Sequence, residues 1–126
     1  MAVRGIRGAT TATANTAEDI TEATQELIAA LIRVNDLDTE DIASAFWTTT
    51  PDLNTEFPAA AARKVGWGDV PQMCAHEMSV PGGLGMCIRV TLHVNTEKSQ
   101  REIRHAYLRG ATVLRPEYAL DSVPSS

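Results

Sequence analysis

Cysteine is scarce in this sequence, and the two residues present, Cys74 and Cys87, stand too far apart for a Cys-x-x-Cys pair. A disulfide-stapled scaffold is therefore excluded. Met1 to Arg7 has no secretory apolar core and reads as the beginning of a strand, so both thiols are expected to be free in a reducing cytoplasm. No apolar run is long enough to cross a bilayer, which removes a membrane-spanning role. An excess of positive charge is also missing: the net charge of −5 at pH 7 argues against nonspecific nucleic-acid binding. Lysine is nearly absent, with Lys64 and Lys98 alone against nine arginines. No Gly-rich loop joins a strand to a helix; Pro81-Gly82-Gly83-Leu84-Gly85 lies between two strand patterns, so a phosphate cradle is not expected. A metal site drawn from Cys74, His76, Cys87, His93 and His105 falls short, because Cys-x-His is far from a closed ligand set and no other spacing suits zinc. No metal and no cofactor are expected.

What is present begins with the stretch Met86 to Val94, where Ile88, Val90, Leu92 and Val94 alternate with Cys87, Arg89, Thr91 and His93. This is the period-two pattern of a half-buried strand. Arg89 stands out within it, because a guanidinium cannot shed its charge and needs an anion or a route to water. An internal carboxylate or an exposed strand face satisfies that need; so does a bound ligand.

The rest of the chain reads as an α+β domain with a mixed sheet, a single domain over residues 1–126. At the start, Val3, Gly5 and Arg7 share one strand face and Arg4 and Ile6 the other, so at most one of Arg4 and Arg7 can join Arg89. Thr16 caps a helix carrying Ile20, Ala23, Leu27, Ile28, Leu31 and Val34 on one apolar face, ending at Asn35-Asp36. Glu18, Glu22, Glu26 and Arg33 are expected on its solvated face. Ile42 to Thr50 is a second strand, with Ile42, Ser44 and Phe46 alternating with Ala43, Ala45 and Trp47. Pro58 to Lys64 is a short helix stopped by Gly66. Val70 to Met78 is a third strand, Thr96 to Arg104 holds at most a helical turn, and Ile103 to Leu108 adds a final short strand. The tail from about residue 117 is expected to be flexible, with Asp121 to Ser126 frayed.

Near the strand ends lie cations and hydrogen-bonding groups that suit a small polyanion with a polar ring substituent: Arg7, Arg89, Arg115, Tyr107, Cys74 and Glu77. Each also has a structural explanation, as a core aromatic, a buried thiol or a paired charge, and the pattern alone does not bring them together.

At these residues the sequence resembles the monofunctional chorismate mutases of the AroH class. The resemblance rests on Arg4-Gly5-Ile6-Arg7-Gly8-Ala9-Thr10-Thr11, Thr50-Pro51-Asp52-Leu53, Phe57-Pro58-Ala59, Gly82-Gly83-Leu84, Cys87-Ile88-Arg89-Val90, Ile103-Arg104-His105 and Val113-Leu114-Arg115-Pro116. It spans essentially the whole chain. It implies a homotrimer whose mixed sheets form a pseudo-α/β barrel, with active sites between subunits, and the cofactor-free rearrangement of chorismate to prephenate in aromatic amino-acid biosynthesis. It further implies that Arg89 meets the ether oxygen and a carboxylate, and that Arg7 binds the side-chain carboxylate with help from Tyr107. Glu77 and Cys74 would meet the ring hydroxyl, Phe57 and Met73 would line the cleft, and Arg63 and Arg115 would stand at its mouth. Where the family often carries a lysine this chain has Ala60, and its tail beyond Pro116 departs from the family. A regular strand puts Cys74 and Glu77 on opposite faces, so a shared ligand requires a bulge or a strand end between them. Two other readings are a trimeric anion-binding module without catalysis and an enamine deaminase of the RidA type, whose arginine-bearing strand is not evident here.

Overall fold

The computed structural model describes residues 1–120 and orders five strands as β3-β2-β4-β1-β5. The strands are β1 (Ala2–Thr11), β2 (Ile42–Thr49), β3 (Gln72–His76), β4 (Cys87–Thr96) and β5 (Ala106–Tyr107), and the helices are α1 (Ala17–Asn35) and α2 (Pro58–Arg63). β4 runs through the centre, antiparallel to both β1 and β2, while β3 adds parallel to β2 and β5 parallel to β1. The arginine-bearing strand thus has a neighbour on each side.

α1 forms where its signals place it. The Thr16 hydroxyl accepts from the Asp19 amide at 3.1 Å, and the acids Glu18 and Asp19 occupy the first turn, where the helix dipole favours them. At the other end Asp36 takes the left-handed conformation, φ 49°, and its amide bonds back into the last turn. Ile20, Leu27, Ile28 and Leu31 are buried against Ile6, Val90, Leu92 and Trp47 on one face of the sheet. Each such side chain contributes about 1.5–3 kcal/mol through burial. The helix lies close enough that a Cβ on Gly8 would stand 3.0 Å from Leu31 and 3.2 Å from Leu27 and Val90. Any larger residue at that point of β1 would require those side chains to give way by a few tenths of an ångström.

The solvated face of α1 is as expected at Glu22, whose side chain stays 72% exposed, and departs from expectation at Arg33. Glu22 and Glu26 are ion-paired with Arg109, the Glu26 pair closing at 3.1 Å. Arg33 is half-buried, and its Nε and one Nη have no hydrogen-bond partner among the described residues.

In β2 the expected alternation changes phase. A register shift between Ile42 and Ser44 on the β4 side puts Ala45 and Trp47 into the core and leaves Phe46 and Thr48 on the opposite face. One extra residue in a strand reverses every face after it. α2 begins at Pro58, after Phe57, and buries Ala59, Ala61 and Ala62. The third strand is shorter than its pattern, Gln72–His76, although the Glu77 amide still donates to the Thr49 carbonyl at 2.8 Å. The polar stretch after β4 holds a single turn, Gln100–Glu102, closed by a capping box between Ser99 and Glu102. The tail expected to be loose from about 117 is tied down at its start. Pro116–Tyr118 forms a 3-10 turn, and the Leu120 amide donates to the Tyr107 carbonyl at 2.9 Å. The expectation of fraying for 121–126 lies outside the described residues.

Both helices lie on one face of the sheet. The other face is left open and carries Arg7, Phe46, Thr48, Arg89, Thr91 and Tyr107.

Candidate functional site: a cationic face and a separate apolar cleft

The register places Arg89 opposite Thr48 on β2 and Ala9 on β1, and Arg7 opposite Thr91. Arg7 and Arg89 are therefore diagonal neighbours across β1 and β4, separated by about 7–8 Å at the backbone, within reach of long side chains. Arg4 points to the other face and donates its Nε to the Lys98 carbonyl at 3.0 Å, so Arg7 is the one that joins Arg89.

Arg89 is held from the loop that precedes its strand. Asp52 accepts from the Met86 amide at 2.9 Å, and the Thr50 hydroxyl accepts from the Cys87 amide at 2.9 Å while donating to Asp52. The Thr50 hydrogen bond leads the interactions that hold the Asp52 carboxyl below its ordinary range, against the opposing effect of burial. A side chain at Gly85 would come within 2.8 Å of the Asp52 carboxylate. The Thr50-Pro51-Asp52 stretch and Gly85 thus share one physical role, fixing where the arginine strand begins.

Glu77 supplies the negative group. Its carboxylate accepts from the Thr48 hydroxyl at 2.9 Å and lies 3.7 Å from Arg89 Nε. Arg7 has no carboxylate within ion-pair distance among the described residues. The face consequently has two guanidinium groups and one nearby carboxylate, an arrangement that attracts an anion. Tyr107 completes it, buried in a small cluster with Ala9, Cys87 and Ala111. Burial is the leading influence on the Cys87 thiol and pushes its pKa up, so it behaves as a packing residue. Arg7, Phe46, Thr48, Glu77, Arg89 and Tyr107 border a cavity of about 210 Å³. That is small beside the roughly 300–1,000 Å³ of sites that enclose a ligand.

The other expected residues do not join this group. Cys74 pairs in register with Trp47 and packs against the helix-side core, whereas Met73 pairs with Phe46 on the open face. β3 runs without a bulge but ends at His76, so the strand end needed between Cys74 and Glu77 is present; Cys74 packs toward the helix-side core while Glu77, just past the strand, joins the open face. Cys74 instead lines a second cleft of about 390 Å³ with Phe57, Pro58, Leu53 and His76. Burial raises the Cys74 pKa, a hydrogen bond to the backbone of Ala59 and the charge of Arg63 lowering it in part. Arg63 is exposed at the end of α2, and Phe57 and Met73 are also exposed, at 67% and 62%. Arg115 is engaged with Glu117 at 3.1 Å and lies over the Tyr118 ring, 4.6 Å from its centre.

Thr48 is the residue of the cationic face that the sequence did not expose. A threonine inside a strand has no distinguishing pattern, and its role follows from the register of β2 against β4, which the bulge at Ile42/Ser44 resets. Among the described residues no group of three or more His, Cys, Asp and Glu side chains is placed to hold a metal ion. No helix among them is long and apolar enough to cross a membrane.

The family described as chorismate mutase type I matches residues 3–118. A chorismate mutase AroH of Bacillus subtilis (strain 168) is 46% identical over 121 residues, 95% of each chain. That of Thermus thermophilus is 45% identical over 116 residues, covering 91% of this chain and 95% of the other. Among solved structures, a chorismate mutase from Clostridium thermocellum superposes with a TM-score of 0.85 at 49% identity, covering 86% of this chain and 97% of that one.

Proposed function

From the premise that this chain belongs to the chorismate mutase type I family, we propose that its cationic sheet face is one half of an active site converting chorismate to prephenate. The observation that carries the proposal is the diagonal Arg7–Arg89 pair with Glu77 beside Arg89. The reaction is an intramolecular Claisen rearrangement. The ether C–O bond breaks as a C–C bond forms within one molecule, no proton is transferred, and no covalent intermediate arises. The chemistry therefore calls for no metal or redox cofactor. What an enzyme supplies is a compact, chair-like conformer of a flexible dianion and charges matched to the transition state.

Arg89 is assigned to the ether oxygen, where negative charge develops, and to a neighbouring carboxylate. Arg7, assisted by the Tyr107 hydroxyl, holds the side-chain carboxylate. Glu77, oriented by Thr48, faces the ring as it becomes electron-poor and accepts from the ring hydroxyl. These charges stand on a folded sheet before substrate arrives, so little reorganisation is spent during the reaction.

The second half is the cleft of Phe57 and Cys74, with Arg63 at its rim. It shares no lining residue with the cationic cavity of the same chain, and the two halves meet where one subunit offers its cationic face to the cleft of the next. A homotrimer with three such junctions satisfies both the small volume of the cationic cavity and the exposure of Phe57. Met73 lies beside that junction on the open face, and Arg115 joins its mouth when its pairing with Glu117 yields to the substrate dianion. Ala60 in the short helix contributes no charge, leaving capture to Arg63 and Arg115. The proposed setting is the cytoplasm, as a biosynthetic enzyme of the aromatic amino acids.

Loss of chorismate's ultraviolet absorbance with purified, EDTA-treated protein tests the function, with prephenate identified by acid conversion to phenylpyruvate. Turnover without metal is expected. Chorismate bound without turnover would favour the anion-binding module instead.

A further inference from the structure

The stretch Ile103-Arg104-His105 has no part in the chemistry above, yet it lies against the residue that binds the substrate carboxylate. The outer edge of β1 is covered by β5 only at Gly8 and Ala9. Before that point, side chains stand in for the missing strand. The Gln100 amide accepts from Gly5 N–H at 3.0 Å and donates to the Gly5 carbonyl at 2.7 Å. The Arg7 N–H donates to His105 Nδ1 at 2.9 Å. A backbone N–H can only donate, so Nδ1 is a lone pair and the proton of a neutral ring sits on Nε2.

The same ring reaches the C-terminal turn. Tyr118 meets it edge to face, with centroids 4.7 Å apart and planes at 70°, and Tyr118 in turn carries the Arg115 guanidinium. A continuous set of contacts thus runs from the Arg7 peptide through His105 and Tyr118 to Arg115. The charged groups facing the ring come from several elements: Arg7 from β1, Arg115 and Glu117 from the last turn, and Arg101 and Arg104, which border the same cavity as the ring.

We propose that His105, in its neutral form protonated on Nε2, is a positioning residue: it fixes the register of Arg7 and ties that register to the turn bearing Arg115. This rests on the assignment of Arg7 to the substrate carboxylate. Protonation would set an N–H against the Arg7 N–H and place a third positive charge between Arg7 and Arg115. Burial first, then the charges of Arg7 and Arg115, hold the imidazole below its ordinary pKa of 6.5, so the neutral form prevails at neutral pH. KM is accordingly flat near pH 7 and rises only at a pH more acid than that at which an ordinary imidazole titrates.

The test compares His105→Asn, whose Oδ1 can stand where Nδ1 does and cannot take up a proton, with His105→Phe, which keeps a ring but loses the acceptor. His105→Phe is expected to raise KM about two- to tenfold with a smaller change in kcat, the size of one net hydrogen bond at this exposed position. His105→Asn should keep KM near that of the unaltered protein and abolish its acid-side rise. Imidazole 15N spectra of the unaltered protein should show Nδ1 unprotonated and Nε2 protonated at pH 7. Nδ1 protonated at pH 7, an unchanged KM in His105→Phe, or an acid-side rise persisting in His105→Asn would each overturn the inference. Should His105→Phe fail to fold, the spectra and the Asn profile decide. A complete lack of chorismate turnover by the unaltered protein would instead overturn the assignment of the site, and the spectra would still report on the His105–Arg7 bond.

Discussion

At the residue scale, Arg89 holds the position that a general rule about strands makes conspicuous: a permanent charge in the centre of a sheet. Its environment explains how the fold tolerates it. The helix side of β4 is occupied by Ile88, Val90 and Leu92, all buried, while Arg89 faces the open side, opposite the small Ala9 and the hydroxyl of Thr48. Its partner Glu77, at 3.7 Å, is too solvent-accessible for the pair to stabilise the chain by more than about 0–1 kcal/mol. Arg89→Ala is therefore expected to leave thermal stability nearly unchanged. Turnover should fall by about 10²–10³ or more, the cost of removing one preorganised donor to a developing oxyanion. Measuring kcat alongside the melting temperature separates the two effects, and activity like that of the unaltered protein would remove Arg89 from the mechanism. This residue was legible from sequence because alternation alone fixes its face. Thr48 was not, since its face depends on a bulge upstream.

Among the elements, the informative contrast is between α1 and the segment that follows β4. α1 was readable end to end, because its cap, its first-turn acids, its apolar stripe and its Asn35-Asp36 stop all agree. The 97–105 segment showed its helical turn but not its placement, because it is anchored by side chains distant in sequence, Arg4 on the Lys98 carbonyl and Asn35 on Arg104. Asn35 is the main one: its side-chain nitrogen donates to the Leu31 and Arg104 carbonyls, and its oxygen accepts from the Arg104 N–H, each at 2.9 Å. A residue that reads as a helix terminator is also the anchor that places His105 and β5 beside β1. Asn35 is 4% exposed, so truncation leaves the Arg104 N–H and carbonyl without their partner. Asn35→Ala should destabilise the fold by about 1–3 kcal/mol. It should also weaken substrate binding through the displaced 103–107 segment, raising KM before kcat. Denaturant unfolding and steady-state kinetics on the same preparation would check this. A loss of stability with unchanged KM would show that the anchor serves folding alone.

At the scale of the whole molecule, the separation of Cys74 from Glu77 is the decisive geometry. Sequence reasoning could state the dilemma, since a regular strand sends residues three apart to opposite faces, and the structure answers it with a strand end at His76 rather than a bulge, leaving Cys74 on one cavity and Glu77 on another. What sequence could not supply is the second subunit, because an interface leaves no periodicity of its own. If each site is built from the cationic face of one subunit and the Phe57–Cys74 cleft of its neighbour, two differently crippled chains should repair one another. Arg89→Ala removes the first half and Arg63→Ala weakens the second, and neither touches the helix-side core. Refolded together at equal amounts into random cyclic trimers, about one junction in four pairs an intact cationic face with an intact cleft. Activity should then recover to about a quarter of that of the unaltered protein, well above the average of the two variants refolded separately. The comparison requires that each variant alone sediments as a trimer and that Arg63→Ala by itself is strongly impaired at low substrate. Recovery no greater than that average, from trimers shown to be mixed, would mean that each chain builds its site alone.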